Sequence, residues 1–169
     1  LSPVEDAATV AAINAGLVRF HPAANAFGTP LASFTFSVQD SGGAFDLAPN
    51  TFTLNVTPAN DGPQALADIG STTEMAPLVV SAANGVISSA AVPAGRDSDL
   101  DGDSLNVAAV SFGVNAGTVG LPLAGAHGSL VLNADGSYTY TPAASTDALD
   151  DGESVVDIFN YSISDGNGG

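Results

Sequence analysis

The sequence has no cysteine, no tryptophan and no lysine, and its only strong cations are Arg19 and Arg96. Without thiols there is no disulfide framework and no thiolate to act as nucleophile or metal ligand. Without lysine there is neither Schiff-base chemistry nor a Lys–Asn crosslink. Two cations against 18 acidic residues give a net charge of −16. That balance argues against nucleic acid or an anionic membrane as partner, because phosphate is neutralised by Lys and Arg. No apolar run reaches the roughly 18 residues of a membrane span, so direct insertion is not expected. The missing tryptophan weakens a sugar-binding reading, which needs aromatic platforms. Catalysis is poorly supplied too, since groups that titrate near neutrality are limited to His21 and His127. Glu153 with Asp150 and Asp151 has the composition of a glycosidase pair but the setting of a solvated turn. The expectation is a protein that is not an enzyme.

What the chain does have is acid in a pattern. Asp97-Ser98-Asp99-Leu100-Asp101-Gly102-Asp103 puts a carboxylate at every second position. On an extended strand these would share one face, about 6.6 Å apart, and repel. Bent into a loop, their oxygens can converge on a hard cation such as Ca²⁺, which takes six to eight oxygen ligands. A plain acidic turn is the alternative. The loop is not an EF-hand. Counted from Asp97, glycine falls at position six, but position twelve is Ala108 where that motif has a bidentate Glu. Further ligands must come from elsewhere, and Asn60, Asp61 and Asp40 are the natural donors.

Period-two alternation predicts strands at residues 34–40, 51–57 and 159–165; residues 17–22 read as a short strand closed by proline, and 77–81 and 105–112 are further strand candidates. In the 34–40 strand, Phe34, Phe36 and Val38 form the expected half-buried face. The clearest local structure is a hairpin over 128–141, with Leu130 and Leu132 inward, a turn at Asn133-Ala134-Asp135-Gly136, and Tyr138 and Tyr140 after it. Pro58-Ala-Asn-Asp-Gly-Pro63 is a rigid boundary, which divides the chain into 1–61 and 62–169. No amphipathic helix of ten residues stands out.

The two parts also repeat each other. Gly16-Leu-Val-Arg-Phe-His-Pro-Ala-Ala24 matches Gly136-Ser-Tyr-Thr-Tyr-Thr-Pro-Ala-Ala144 at a spacing of 120 residues. Phe34-Thr-Phe-Ser-Val-Gln-Asp40 matches Phe159-Asn-Tyr-Ser-Ile-Ser-Asp165 at a spacing of 125. Residues 1–61 thus read as the back part of one repeat, and 62–169 as a following repeat without a counterpart of Thr51–Thr57. The chain looks like a window on a longer array. Its open strand edges are expected to be completed by neighbouring repeats or by other copies of the chain through strand addition.

Gly128–Pro142, Asp150-Asp-Gly-Glu-Ser154 and Phe159–Gly169 together resemble the VCBS repeat, found in tandem in large secreted bacterial adhesins of RTX type. Phe20–Asn25, Ser33–Asp40 and Asn60–Pro63 are similar to the related cadherin-like repeats. The resemblance implies an all-β fold, an immunoglobulin- or cadherin-like Greek-key sandwich, with Ca²⁺ at the junctions between domains. It implies acidic positions at Asn60 and Asp61, Glu74, and Asp97, Asp99, Asp101 and Asp103, while Asp40 and Asp165 end the penultimate strands. Two departures stand out: Met75 replaces the usual acid after Glu74, and the longer segment Val86–Arg96 sets a cation beside the acid loop. The expected role is a non-catalytic, calcium-stiffened extender repeat of a secreted or bacterial cell-surface adhesin. A filament subunit joined by strand exchange is the second class. A module binding a cell-surface glycan or protein is the third.

Overall fold

The computed structural model describes residues 10–89 and 95–168, so much of the long segment 86–96 lies outside the described residues. The chain divides into Leu1–Ala59 and Asn60–Gly169. The break falls just before the Asn-Asp pair, because both residues hydrogen-bond into the second unit.

The first unit holds a short helix α1 (Val10–Asn14) and two antiparallel strands, β1 (Gly28–Phe36) and β2 (Asn50–Val56). Phe34 pairs with Phe52 and Phe36 with Asn50, and the Phe34 and Phe52 rings stack at 5.3 Å. No residue from 11 to 59 is buried. The expected half-buried face is therefore exposed, with Phe34 at 49%, Phe36 at 42% and Val38 at 60%. Two strands alone cannot cover a face. The strand also starts and ends earlier than the 34–40 reading, because Asp40 folds the chain back. Its Oδ1 accepts the amides of Gly42 and Ala44 at 2.8 and 2.9 Å. Residues 17–22 do not form the expected strand. Gly16 turns the chain in the left-handed region (φ 68°), and no described strand lies beside this segment to take its amides.

The second unit is a sandwich of two sheets. One has the order β3 (Leu78–Val80), β8 (Tyr138–Pro142), β7 (Gly128–Leu132), β6 (Pro122–Ala124). The other runs β5 (Asn115–Gly117), β4 (Asn106–Phe112), β9 (Phe159–Ser164). The strands pair antiparallel, and the predicted hairpin forms with Leu132 opposite Tyr138. Its turn ends at Gly136, whose φ of 82° suits glycine. The core is Val86, Val107, Val110, Leu123, Leu130 and Leu132, packed against Phe112, Tyr138, Tyr140, Phe159 and Tyr161. Val107 and Val110 both point inward although they are three residues apart. A bulge between Val107 and Ala109 explains this, since an extra residue switches the face that follows it.

Candidate functional site

The acid loop follows an antiparallel bridge between Gln64 and Ser98, which exchange both backbone hydrogen bonds at 2.8 and 3.1 Å. That bridge seats the entry segment against the loop and divides the four carboxylates into two groups.

Asp97 turns inward and is only 3% exposed. Its Oδ1 accepts the Leu66 amide at 2.7 Å. The Tyr161 hydroxyl lies within reach of three acceptors: the Leu66 carbonyl at 2.8 Å, Asp68 Oδ2 at 2.9 Å and Asp97 Oδ2 at 3.4 Å. One hydroxyl proton serves one acceptor at a time, and Asp68 Oδ1 is buried without a partner. Burial raises the Asp68 carboxyl above the usual range, against the Tyr161 hydrogen bond and with the Asp97 charge adding to the rise. Burial likewise raises Asp97, against hydrogen bonds from Leu66 and Tyr161. The Tyr161 hydroxyl is itself pushed far up by burial and by the two carboxylates. Asp97 thus belongs to a structural cluster that pins Leu66 and Asp68 to β9.

Asp99, Asp101 and Asp103 form the second group. Asp99 Oδ1 accepts the amides of Asp101 and Asp103 at 2.8 and 3.3 Å, which curls the loop around Gly102 (φ 81°). Asp99 Oδ2 is buried and has no hydrogen-bond partner. Asp101 Oδ2 accepts the Asp61 amide at 2.7 Å. Asp103 Oδ2 accepts the Asn167 side-chain amide at 2.8 Å. Asp165, 7% exposed, accepts the Asn60 side chain at 2.7 Å and the Asn167 backbone amide at 2.8 Å. Asn60, Asp61, Asp99, Asp101, Asp103 and Asp165 are thereby joined in one network of oxygen-bearing side chains.

Asn167 completes the network and escaped the sequence reading. The repeat gives no signal for it, because the matching position two residues after Asp40 is Gly42, although Asp165 and Asp40 each accept the backbone amide two residues on. Asp40 belongs to the first unit and caps its own turn. Glu74 stays exposed in the turn before β3 and lines a groove on the flank of the sandwich. Its neighbour Met75 takes a left-handed φ of 61°.

The donors of the network are carboxylate and carboxamide oxygens, the chemistry a hard cation takes, and the orphaned Asp99 oxygen lies among them. Among the described residues no three acidic or histidine side chains already converge as a metal cage. In donor type and in its unsatisfied oxygen the network fits Ca²⁺; the hydrogen bonds bring its members together without ligand geometry.

Asp157, Asp150 and Glu153 serve the fold. Asp157 Oδ1 accepts the amides of Ala126 and His127 at 3.0 and 3.1 Å, and its Oδ2 takes the Tyr140 hydroxyl at 2.9 Å. Burial and that carboxylate push the Tyr140 hydroxyl up to about 12. Asp150 and Glu153 close a turn reciprocally, through the Asp150 amide to Glu153 Oε2 and the Glu153 amide to the Asp150 carbonyl.

The family model of the bacterial cadherin-like domain matches residues 60–169. No curated protein matches the chain.

Proposed function

The chain belongs to the bacterial cadherin-like domain family, and from that premise we propose that it is a calcium-binding structural repeat of a secreted or cell-surface adhesin. A non-catalytic extender role agrees with the family and with acidic groups engaged in turns and cores. The observation that carries the calcium reading is the buried, unpartnered Oδ2 of Asp99 within a network of oxygen donors. A buried carboxylate oxygen left without a partner costs free energy, and a bound cation would remove that cost. Asp99, Asp101, Asp103, Asp165, Asn60 and Asn167 would hold the ion, with Asp61 fixed through its amide. The ion would supply positive charge that a chain of net charge −16 lacks. Asn60 and Asp61 directly follow the first unit in the chain, so fixing them orders the covalent link between units.

Thermal melting in millimolar Ca²⁺ and in EDTA tests this reading. At a free calcium concentration one hundred times the dissociation constant, linkage stabilises the folded state by about 2.7 kcal/mol, a rise of roughly 10 °C or more for a domain of this size. Identical melting in both buffers would refute it.

A further inference from the structure

Two carboxamides stand among the carboxylates of the acid-loop network, and both present nitrogen to it. Asn60 Nδ2 donates to Asp165 Oδ2 at 2.7 Å, and Asn167 Nδ2 donates to Asp103 Oδ2 at 2.8 Å. An ionised carboxylate only accepts hydrogen bonds, so a carboxamide can face it only with its NH₂ group. These two bonds tie together parts of the chain 105 and 64 residues apart. The loop itself is already curled by Asp99 Oδ1, which accepts the Asp101 and Asp103 amides. The carboxylates of Asp99, Asp101, Asp103 and Asp165 are thus drawn together by neutral amide donors. A hard cation takes oxygen and repels the positive hydrogens of an NH₂ group, so both carboxamides show it the wrong face.

We propose that Asn60 and Asn167 are placeholders for the cation, an inference that rests on the calcium reading above. Without calcium, their NH₂ groups hold Asp165 and Asp103 in the network. On binding, each carboxamide makes a half turn about Cβ–Cγ, its Oδ1 takes the place of Nδ2, and the Oδ2 atoms of Asp103 and Asp165 are released toward the ion. That torsion joins sp³ and sp² carbons and has a broad, roughly two-fold profile, so the two orientations differ little in intrinsic energy. Both asparagines are exposed whereas Asp165 is buried, so each turning NH₂ meets water rather than core. The backbone needs no rearrangement, and the site stands preformed in the cation-free protein. The same arrangement limits affinity, because binding displaces two hydrogen bonds to carboxylates. An aspartate at either position would lose the donor and gain a charged ligand. It should therefore weaken the cation-free protein through repulsion and tighten calcium binding.

Carbon-13 and nitrogen-15 NMR of the full chain, first in EDTA and then through a CaCl₂ titration, tests this at the side chains themselves. The Cγ atoms of Asn60 and Asn167 should move downfield, as a carboxamide carbon does when its oxygen is ligated. They should share their midpoint with the backbone amides of Asp101 and Asp103. The Asn133 carboxamide, which donates to Ser137 Oγ, should not move. Asn167→Asp should bind calcium about tenfold more tightly by calorimetry and melt below the wild type in EDTA. Backbone amides that respond while both Cγ atoms stay still overturn the half turn and leave the calcium reading standing. An Asn167→Asp protein that melts with the wild type in EDTA overturns the holding role. Network amides that ignore calcium overturn the calcium reading and the half turn with it.

Discussion

Replacing Tyr161 with Phe removes one oxygen from the most crowded polar cluster of the second unit. In the wild type that hydroxyl faces the Leu66 carbonyl and the carboxylates of Asp68 and Asp97. Its loss takes away a hydrogen bond to a charged group, worth about 1.5–3 kcal/mol, so Tyr161→Phe should cost about 2 kcal/mol at pH 7. The cost should depend on pH in a defined sense. Burial raises both carboxyls in the folded state. A group with a raised folded value stabilises the protein when protonated, and that contribution is lost as pH rises through it. Removing the hydroxyl takes away the hydrogen bond that opposes the rise, so both carboxyls climb further. A protonated carboxyl supplies its own donor, and the penalty should shrink as pH falls from 7 toward the ordinary carboxylate range. Urea unfolding of wild type and variant at pH 7 and pH 4.5, both in buffer stripped of calcium, measures the difference free of any divalent cation at the acid loop. A cost below about 0.5 kcal/mol at pH 7, or one that grows on acidification, would refute the reasoning.

Other outcomes follow from the core and its turns. Leu132 is 2% exposed at the centre of the core, so Leu132→Ala should destabilise the second unit by about 2–5 kcal/mol, read as a lower denaturation midpoint. Gly136→Ala sets a side chain on a left-handed residue, against the Ile87 backbone nitrogen 3.0 Å from the new Cβ. It should cost about 1–2 kcal/mol by chemical unfolding, and Gly102→Ala, which meets nothing within 4 Å, should cost less. Phe52→Ala lies in a sheet without a core, and the main thermal transition, which belongs to the second unit, should not move.

The hairpin at 128–141 was legible because its signals are local: alternation on both arms and a glycine where the turn needs one. The β4 strand was legible in extent but not in facing, since the bulge that turns both Val107 and Val110 inward is set by pairing with β9. The segment 17–22 misled because an apolar run closed by proline marks only a capacity to pair, and its realisation needs a neighbouring strand, which Tyr138–Pro142 has on both sides and this segment lacks among the described residues. At the site, the even spacing of the four aspartates suggested one cluster. The Gln64–Ser98 bridge instead turns Asp97 toward Tyr161 and leaves Asp99, Asp101 and Asp103 to the loop. Asn167 was hidden because its partner Asp103 lies 64 residues away in the chain, and only the fold brings them together.

The central claim is that the network around Asp99 takes calcium, and a Ca²⁺ titration followed by amide NMR tests it most directly. The backbone amides of Asp61, Asp101 and Asp103 and the side-chain amides of Asn60 and Asn167 should shift together and saturably, and EDTA should reverse the shifts. Asp99→Asn should weaken that response, while the amides of the Asp150–Glu153 turn should stay still in both proteins. Network amides that ignore calcium, or that move no more than those of the Asp150–Glu153 turn, would contradict the account.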